Sequence, residues 1–309
     1  MHIQVNDLSK KYDTKVFALK NISFDVNLSG ILAIIGKNGA GKTTLVRILS
    51  TQLLPTSGQA FIDGYDVIKE PQRVREIIAA VPQEARAIPW LTPIQTVSSY
   101  LMWRGFSYRE AREKGREALR ILGLEKVENE KNRKLSGGQK RKVLVATVLA
   151  SEAPLIFLDE PTTGLDYLSR KELWELLMEM KKNRLIILTT HYLEEAEILG
   201  DLIGILDKGE LLDLSDIQSL RSKMEYPYSI KIYDRDIKMV VNGIVKEVSD
   251  GLQIFTNEKN VYEIIPKLLE KKIKFSIQEV SLSNIFEFFV EEGVQDEEVL
   301  EPNNGFNSG

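Results

Sequence analysis

The sequence predicts an α/β fold in which buried parallel strands alternate with helices. Three short runs of apolar residues, 31–35, 155–158 and 185–188, carry this prediction. Unbroken runs of this length are typical of strands that are buried on both faces of a parallel sheet. Residues that carry chemistry follow the runs: a glycine-rich loop, two carboxylates and a histidine. Because open α/β sheets bind ligands at the carboxyl ends of their strands, the pattern also predicts a binding site.

The first apolar run leads into the segment Gly36–Thr43, which has the pattern of a phosphate-binding loop. Apolar residues at helical spacing then predict a helix over residues 44–53. Glycines let backbone N–H groups approach phosphate oxygens, and the helix N-terminus adds a favourable partial charge. Lys42 would reach the β- and γ-phosphates, and the Thr43 hydroxyl would ligate magnesium. The nucleotide-binding residues predicted here are Gly36, Asn38, Gly39, Ala40, Gly41, Lys42, Thr43 and Thr44.

Two carboxylates, Asp159 and Glu160, follow the second apolar run. The end of a buried strand is where phosphate-loop proteins hold a magnesium ion, and Asp159 is the predicted metal-binding residue. The plainer alternative is a pair of solvated acids that only terminates a strand. The residues that follow, 161–166, favour the functional interpretation because they continue a pattern that includes a second motif.

That second motif is the pentapeptide Leu135–Gln139, with the sequence LSGGQ, between the phosphate loop and the carboxylates. Many unrelated enzymes have a phosphate loop, but far fewer combine it with this pentapeptide. With these motifs the sequence resembles the ATP-binding cassette (ABC) family, specifically the nucleotide-binding subunit of a membrane transporter. The resemblance implies a P-loop NTPase cassette, in which a RecA-like core carries an antiparallel β subdomain and a helical subdomain.

The resemblance also implies a role for each side chain at the strand ends. Asp159 would organise the magnesium ion, and Glu160 would polarise the attacking water as a general base. Gln83, which follows a short apolar strand over residues 79–82, would contact the magnesium ion or the water and relay the state of the membrane partner. His191, after the third apolar run, would touch the γ-phosphate.

An aromatic residue near the N-terminus completes the implied nucleotide site. Tyr12 takes the place of the family's adenine-stacking residue, and Val16 is assigned to the same subsite. A flat ring suits a purine because its face is apolar and polarisable. The alternative is that Tyr12 packs locally as a strand residue.

The LSGGQ pentapeptide is a second anion cradle, since its glycines expose backbone N–H groups at the start of a predicted helix. One chain needs only one cradle for its own nucleotide. In the family the second cradle closes over the γ-phosphate bound to another subunit, so that two chains sandwich two ATP molecules head to tail. The residues implied in this contact are Ser136, Gly137, Gly138, Gln139 and Asp166.

The 309 residues are predicted to form two domains and a tail. The cassette would span residues 1–215, with its helical subdomain at about 84–150. Residues 216–293 mix short strands and helices and predict a small α+β domain. The segment 281–286 resembles the C-terminal extension of drug-exporter cassettes, and export as the direction of transport rests on that likeness. Residues 294–309 are acidic and then rich in Asn and Gly, which predicts disorder.

An aromatic-rich stretch follows Gln83 and includes Trp90, Tyr100, Trp103 and Phe106. Two interpretations stay open. The rings would either complete the core of the helical subdomain or line a groove that receives a short cytoplasmic helix from a permease.

The composition fits a cytoplasmic ATPase subunit. A net charge of -4 without a basic excess argues against nucleic acid as a partner. The chain has no cysteine, which fits a reducing interior. No apolar run approaches the roughly 20 residues that span a bilayer, and the N-terminus lacks the apolar core of a signal peptide. We therefore expect ATP and Mg²⁺ as cofactors and a place on the cytoplasmic face of the membrane, bound to separate permease subunits.

Other ATPases share parts of the pattern. Chromosome-organising and repair ATPases carry LSGGQ, but a long coiled coil separates their phosphate loop from the acidic strand, whereas Lys42 and Asp159 are close in this sequence. Translation-associated cassette proteins normally join two cassettes. A nucleotide kinase has no reason to carry LSGGQ. A soluble cassette ATPase without a transport function remains the alternative.

Overall fold

The structure is a computed structural model that describes residues 1–12, 16–234 and 243–298. For residues 291–298 it describes the backbone alone. The chain divides into two compact units, Met1–Leu214 and Ser215–Gly309. The first unit has two sheets and the second unit has one, and each unit buries apolar side chains of its own.

The first unit contains two sheets. Its strands are β1 (His2–Lys11), β2 (Phe17–Asn27), β3 (Gly30–Ile35), β4 (Ser57–Ile62), β5 (Tyr65–Asp66), β6 (Ile78–Val81), β7 (Leu155–Asp159), β8 (Leu185–Thr190), β9 (Leu202–Asp207) and β10 (Glu210–Ser215). The smaller sheet has the order β2-β1-β4-β5 and the larger one the order β10-β9-β3-β8-β7-β6. Strands β6, β7, β8, β3 and β9 pair in parallel, so the prediction of a parallel α/β sheet is confirmed.

Seven α-helices lie in the described part of the first unit. They are α1 (Lys42–Leu49), α2 (Pro71–Ile77), α3 (Pro93–Trp103), α4 (Tyr108–Ile121), α5 (Gly137–Ala150), α6 (Tyr167–Met180) and α7 (Leu193–Leu199). Helix α1 is shorter than predicted, because Thr51 adopts a left-handed backbone conformation with φ 63° and the chain cannot continue as a helix to residue 53.

The central strands are buried on both faces, as their unbroken apolar runs predict. Alternate side chains point in opposite directions along a strand. Ile156 and Ile186 therefore pack in a cluster with residues of α3 to α6, whereas Phe157 and Ile187 pack in a second cluster with the smaller sheet and α1. The core is thus a sheet between two apolar layers, and its carboxyl edge is left for ligands.

Helices α3, α4 and α5 form the helical subdomain, and each begins with a capping box. The N-cap hydroxyls of Thr92, Ser107 and Ser136 accept hydrogen bonds from the third helical N–H, and the Gln or Glu at that position returns one. Two orphan backbone donors are thereby satisfied at each helix start. The box predicted from Ser107 and Glu110 is present.

The aromatic stretch divides between the two interpretations that the sequence left open. Tyr100 and Phe106 pack against the core of the helical subdomain. Trp90 and Trp103 do not, since 70% and 77% of their surfaces are exposed. The core interpretation therefore holds for Tyr100 and Phe106, whereas for the two exposed tryptophans the groove interpretation stays a prediction.

The second unit is a small α+β domain. Its elements are α8 (Ile217–Ser222), β11 (Tyr228–Ile232), β12 (Ile244–Val248), β13 (Gly251–Thr256), α9 (Glu258–Glu270), β14 (Phe275–Glu279) and α10 (Leu282–Glu298). The sheet has the order β12-β13-β11-β14, with antiparallel neighbours. Ile230, Ile232 and Ile254 of this sheet form a buried cluster with Ile264 and Leu268 of α9.

The backbone of α10 is helical through Glu298, because the Gln and Glu residues of this segment are good helix formers and continue an established helix. The helix overlaps residues 294–298 of the segment 294–309, for which disorder stays a prediction. Residues 299–309 lie outside the described residues. Within the described part of the chain, no helix is long and apolar enough to cross a membrane.

Two adjacent leucines on α9 allow a test of the second unit as a folding unit. Leu268 is fully buried, whereas 62% of Leu269 is exposed. We expect Leu268→Ala to lower the free energy of unfolding of this unit by about 2–5 kcal/mol, because it leaves a cavity in a small core. Urea unfolding would measure the loss, and ATP binding to the first unit should not change. Leu269→Ala is the matched control; a similar loss in both variants would contradict the core placement.

Candidate nucleotide site

The phosphate-binding loop joins β3 to α1 and depends on its glycines. Gly41, the N-cap of α1, has φ 108°, and a Cβ atom there would lie 2.4 Å from the carbonyl oxygen of Ala18. Gly39 has φ 85° and faces open space, with no atom within 4 Å of a Cβ built on it. The loop therefore turns tightly at Gly41 and leaves room at Gly39, as a phosphate cradle requires.

Lys42 lies at the centre of this loop. Its ammonium group donates hydrogen bonds to the carbonyl oxygens of Gly36 at 2.7 Å and Lys37 at 3.1 Å. Burial lowers the pKa of the ammonium, and the carboxylates of Glu160 and Asp159 act in the opposite direction. The two hydrogen bonds thus hold the side chain inside the loop, within reach of any phosphate that the loop binds.

Asp159 faces the phosphate loop from the end of β7 and is almost completely buried. Its Oδ1 accepts a hydrogen bond from the Thr43 hydroxyl at 3.2 Å and a second from the Thr189 hydroxyl at the end of β8. A hydroxyl and a carboxylate oxygen at this separation suit Mg²⁺, which takes one or two protein ligands together with nucleotide phosphates. Thr43 and Asp159, with Gln83 nearby, therefore fit the expected metal.

Glu160 has an unusual backbone conformation. Its φ of 48° is left-handed, a state that costs free energy for a residue with a Cβ atom and that often occurs at functional sites. The carboxylate Oε2 accepts hydrogen bonds from Gln83 Nε2 at 3.0 Å and from the Thr163 hydroxyl at 3.2 Å. The other oxygen lies 3.3 Å from Nδ1 of His191, without the alignment of a hydrogen bond. Of the three predicted catalytic residues, Gln83 and His191 thus each contact Glu160.

A cleft of about 590 Å³ joins these groups to the phosphate loop. Its volume is within the range of small-molecule sites. The residues that line it are Ala18, Asn38, Gly39, Gly41, Lys42, Thr43, Thr44, Gln83, Glu160, Thr163 and His191. Gly36 and Ala40, also predicted from the loop pattern, are buried behind it.

Tyr12 and Val16 lie at the edge of the site rather than in this cleft. The Tyr12 hydroxyl is 3.4 Å from the hydroxyl of Thr44, which lines the cleft, and its ring is about half exposed. Val16 is largely exposed. The ring is therefore placed where a nucleotide base extending out of the phosphate loop could stack on it.

The LSGGQ residues are not in this cleft. Ser136 is the N-cap of α5, and Gln139 Oε1 accepts a hydrogen bond from the Ser136 N–H at 3.0 Å. The first four N–H groups of a helix lack intrahelical partners. Of these groups in α5, the Ser136 hydroxyl accepts a hydrogen bond from the Gln139 N–H. The amides of Gly137 and Gly138 are thus outside the cap. A Cβ on Gly137 would meet no atom within 4 Å, so this amide borders open space.

Asp166 also caps a helix, which was not foreseen from the sequence. Its carboxylate accepts hydrogen bonds from the backbone N–H of Ser169 at 3.0 Å and from the Ser169 hydroxyl at 2.8 Å, and these bonds lower its pKa. The next two side chains, Tyr167 and Leu168, are exposed. The start of α6 therefore presents a carboxylate and an apolar pair to solvent.

Arg141 is a site residue that sequence reasoning missed. It lies on α5, two residues after LSGGQ, and is buried. Its guanidinium donates hydrogen bonds to three successive carbonyl oxygens, those of Asp159 at 2.8 Å, Glu160 at 3.0 Å and Pro161 at 3.0 Å. Nothing in a single sequence marks such a contact, since its partners are 18 to 20 positions away and are backbone atoms.

Comparison with known proteins agrees with this geometry. A family model described as ABC transporter matches residues 19–163. A solved structure of the ATP-binding subunit of an ABC transporter is 30% identical, with a TM-score of 0.65 over 72% of this chain and 93% of that chain. The chain belongs to the ABC transporter family. The recognition of an ATP-binding cassette from its motifs is therefore confirmed, and so is the P-loop NTPase fold.

Other relatives of this cassette include much longer proteins. The rat protein named ATP-binding cassette sub-family A member 17 is 36% identical over 233 residues, which are 74% of this chain and 13% of that protein. The human phospholipid-transporting ATPase ABCA3 is 36% identical over 212 residues, or 68% of this chain and 12% of that protein. The chain thus spans about an eighth of the length of these relatives.

A dimeric cassette, MJ0796, has been solved in a post-hydrolysis state bound to ADP and Pi. It is 28% identical to this cassette, with a TM-score of 0.65 over 70% of this chain and 98% of that chain.

Arg141 gives the first test of the site. Arg141→Met should lower the free energy of unfolding by more than about 2 kcal/mol, because three buried carbonyl oxygens lose a charged donor. It should also weaken Mg-ATP binding, since the loop that carries Asp159 and Glu160 loses its anchor. Chemical denaturation and calorimetric titration would measure both effects. Lys140→Met removes the neighbouring charge and serves as the control; equal losses in the two variants would rule out the anchoring role.

Proposed function

We propose that this cassette binds Mg-ATP, hydrolyses it and drives transport through membrane domains. The observation that carries the hydrolytic part is the Glu160 carboxylate at the cleft, held by Gln83 and Thr163 and adjacent to His191. A carboxylate positioned by its neighbours can orient a water molecule and accept its proton as the water attacks the γ-phosphate. Gln83 would orient the same water, and His191 would contact the γ-phosphate.

Thr43, Asp159 and Gln83 are the proposed magnesium ligands. A bound magnesium ion would neutralise charge on the β- and γ-phosphates. Lys42 would contact the same phosphates from the loop, and the N–H groups at the start of α1 would bind their oxygens. Tyr12 and Val16 would hold the adenine. The cassette's own residues thereby supply positioning and charge, which account for most of the catalysis of phosphoryl transfer.

We further propose that two cassettes close head to tail around two ATP molecules. The amides of Gly137 and Gly138, with Ser136 and Gln139, would bind the γ-phosphate held by the partner, and Asp166 would face the partner's phosphate loop. Three features support this arrangement: LSGGQ lies outside the chain's own cleft, the amide of Gly137 borders open space, and the similar cassette MJ0796 is dimeric.

The membrane partner is proposed to dock near the exposed tryptophans. Trp90 lies between Gln83 and α3, and Trp103 ends α3. Such rings suit a short amphipathic helix on the cytoplasmic face of a permease. The C-terminal resemblance favours export, and the name of the human relative makes a phospholipid the first cargo to test.

The hydrolytic role and the dimer are tested together with Glu160→Gln. We expect ATP affinity within about threefold of wild type and ATPase activity lower by roughly 10²–10⁴-fold, because the amide cannot accept the proton of water. Light scattering at saturating Mg-ATP should show a dimer, since hydrolysis no longer opens it.

Lys42→Ala is the comparison variant, in which nucleotide binding and dimer formation should both be lost. A Glu160→Gln protein that stays monomeric at saturating ATP would contradict dimer closure by this chain alone. Isolation of the Glu160→Gln protein with Mg-ATP from solubilised membranes would then show whether a membrane protein accompanies it. Recovery of only soluble partners would favour a cassette ATPase without a transport role.

The docking surface is tested with Trp90→Ser and Trp103→Ser. Both side chains are exposed, so we expect unchanged folding and basal ATPase activity within about twofold of wild type. Transport, and the change in ATPase activity on adding the membrane partner, should decrease. Tyr108→Ser removes another exposed ring of the helical subdomain and should have no effect. Phe106→Ser should instead destabilise the protein, because Phe106 packs against the core.

A further inference from the structure

Glu195 is a carboxylic acid with no part in the chemistry above, yet it has no exposed surface. It lies on α7, four residues after His191. Burying a carboxyl group is costly unless its oxygens accept hydrogen bonds. Burial raises the pKa of this carboxyl group, although its hydrogen-bond donors and Arg170 act in the opposite direction.

The partners of this carboxyl group come from three different segments around the site. Glu195 Oε2 accepts a hydrogen bond from the Thr162 hydroxyl at 3.1 Å, and Oε1 accepts one from the indole N–H of Trp174 at 3.0 Å. The side chain of Thr190 also interacts with this carboxyl group and acts to lower its pKa. Thr162 and Thr190 are fully or almost fully buried. Each donor would lose its partner if the carboxyl group were removed.

The position of these donors in the chain is informative. Thr162 lies two residues after Glu160, and Thr190 immediately precedes His191. The Thr190 hydroxyl also accepts a hydrogen bond from the Tyr192 N–H at 3.0 Å, so both neighbours of His191 belong to the same network. Trp174 lies on α6, the helix that Asp166 caps.

Strand pairing alone does not fix the separation of Glu160 and His191. The register between β7 and β8 ends with the pair Asp159 and Thr189, and the Glu160 N–H bonds to the carbonyl oxygen of Thr189. The carboxyl group of Glu195 adds a link between the two segments, since it accepts a hydrogen bond from Thr162 after β7 and interacts with Thr190 at the end of β8.

We propose that Glu195 is a positioning residue, which sets the separation of Glu160 and His191 by holding the segments that carry them. The role rests on the proposed function of these two residues in ATP hydrolysis. Glu195 touches neither nucleotide nor water in this scheme. Its effect passes through the backbone of residues 160–162 and 190–192, and through Trp174 it also reaches the helix that begins at Asp166.

The test compares variants of two adjacent acids on α7, since Glu194 is exposed and Glu195 is buried. Glu195→Ala should lower kcat about tenfold or more, because displacements of about 1 Å in a catalytic group have effects of this size. The KM for ATP and the affinity for ATP should stay within about twofold, since the phosphate loop is not in the network. Glu195→Gln keeps one acceptor oxygen and should recover most of kcat. Glu194→Gln should match wild type.

A double-mutant cycle separates positioning from general stabilisation. In a His191→Ala background, Glu195→Ala should have little further effect on kcat, because the contact that it positions is already absent. Thr162→Val, which is close in volume, should give a smaller loss of the same kind and provides a second variant if Glu195→Ala does not fold. Independent, multiplicative losses in the cycle, or an unchanged kcat in folded Glu195→Ala and Thr162→Val, would overturn the proposal.

A readout without turnover distinguishes failure of this proposal from failure of the proposed function. The chain has two histidines, His2 and His191, so the NMR signals of the imidazole rings can be assigned with one substitution. Glu195→Ala should move the His191 signals and leave those of His2 in place. If the wild-type protein does not hydrolyse ATP, the ATPase assignment fails. If the His191 signals do not move in Glu195→Ala, the positioning role is overturned, whatever the result of the ATPase assay.

Discussion

The parallel pairing of β8 with both β3 and β7 is the constraint on which the nucleotide site depends. It places Ile35 beside Thr190 and Asp159 beside Thr189, so that three loops leave one edge of the sheet within two strand spacings. Neighbouring strands lie about 4.8 Å apart. The phosphate loop, the Glu160 carboxylate and His191, from distant parts of the sequence, therefore share one cleft without any long side chain having to bridge them.

This constraint explains which parts of the molecule could be predicted from the sequence. The central strands are buried on both faces, so each appears as an apolar run, and the residue after the run is the residue at the edge. Helix ends are harder to predict, because the left-handed turn at Thr51 that ends α1 is set by a single backbone angle. The division of the aromatic stretch into buried Phe106 and exposed Trp103 depends on tertiary packing, which periodicity alone does not contain.

Two residues expected to contact a partner are also local structural elements. Gln139 closes the capping box of α5, and Asp166 caps α6. These roles are compatible, because a cap binds one or two of the N–H groups at a helix start and leaves the others available for an anion. A cap also fixes the loop before the ligand arrives, which lowers the entropic cost of binding. The same side chain can thus fix the loop in the free chain and contact the partner in the proposed closed dimer.

The loop that carries Glu160 is held from two sides by the buried side chains of Arg141 and Glu195. Arg141 of α5 binds the carbonyl oxygens of residues 159–161, and Glu195 of α7 binds the hydroxyl of Thr162. Sequence patterns do not reveal either contact, since the partners are backbone atoms or buried hydroxyls on other elements. Helix α5 begins at LSGGQ and carries Arg141. If this helix moves relative to the sheet, either the three hydrogen bonds of Arg141 break or the backbone of Glu160 moves with the helix. The left-handed conformation of Glu160 is therefore maintained by the helix that bears the second anion cradle, which links the two halves of the proposed composite site within one chain.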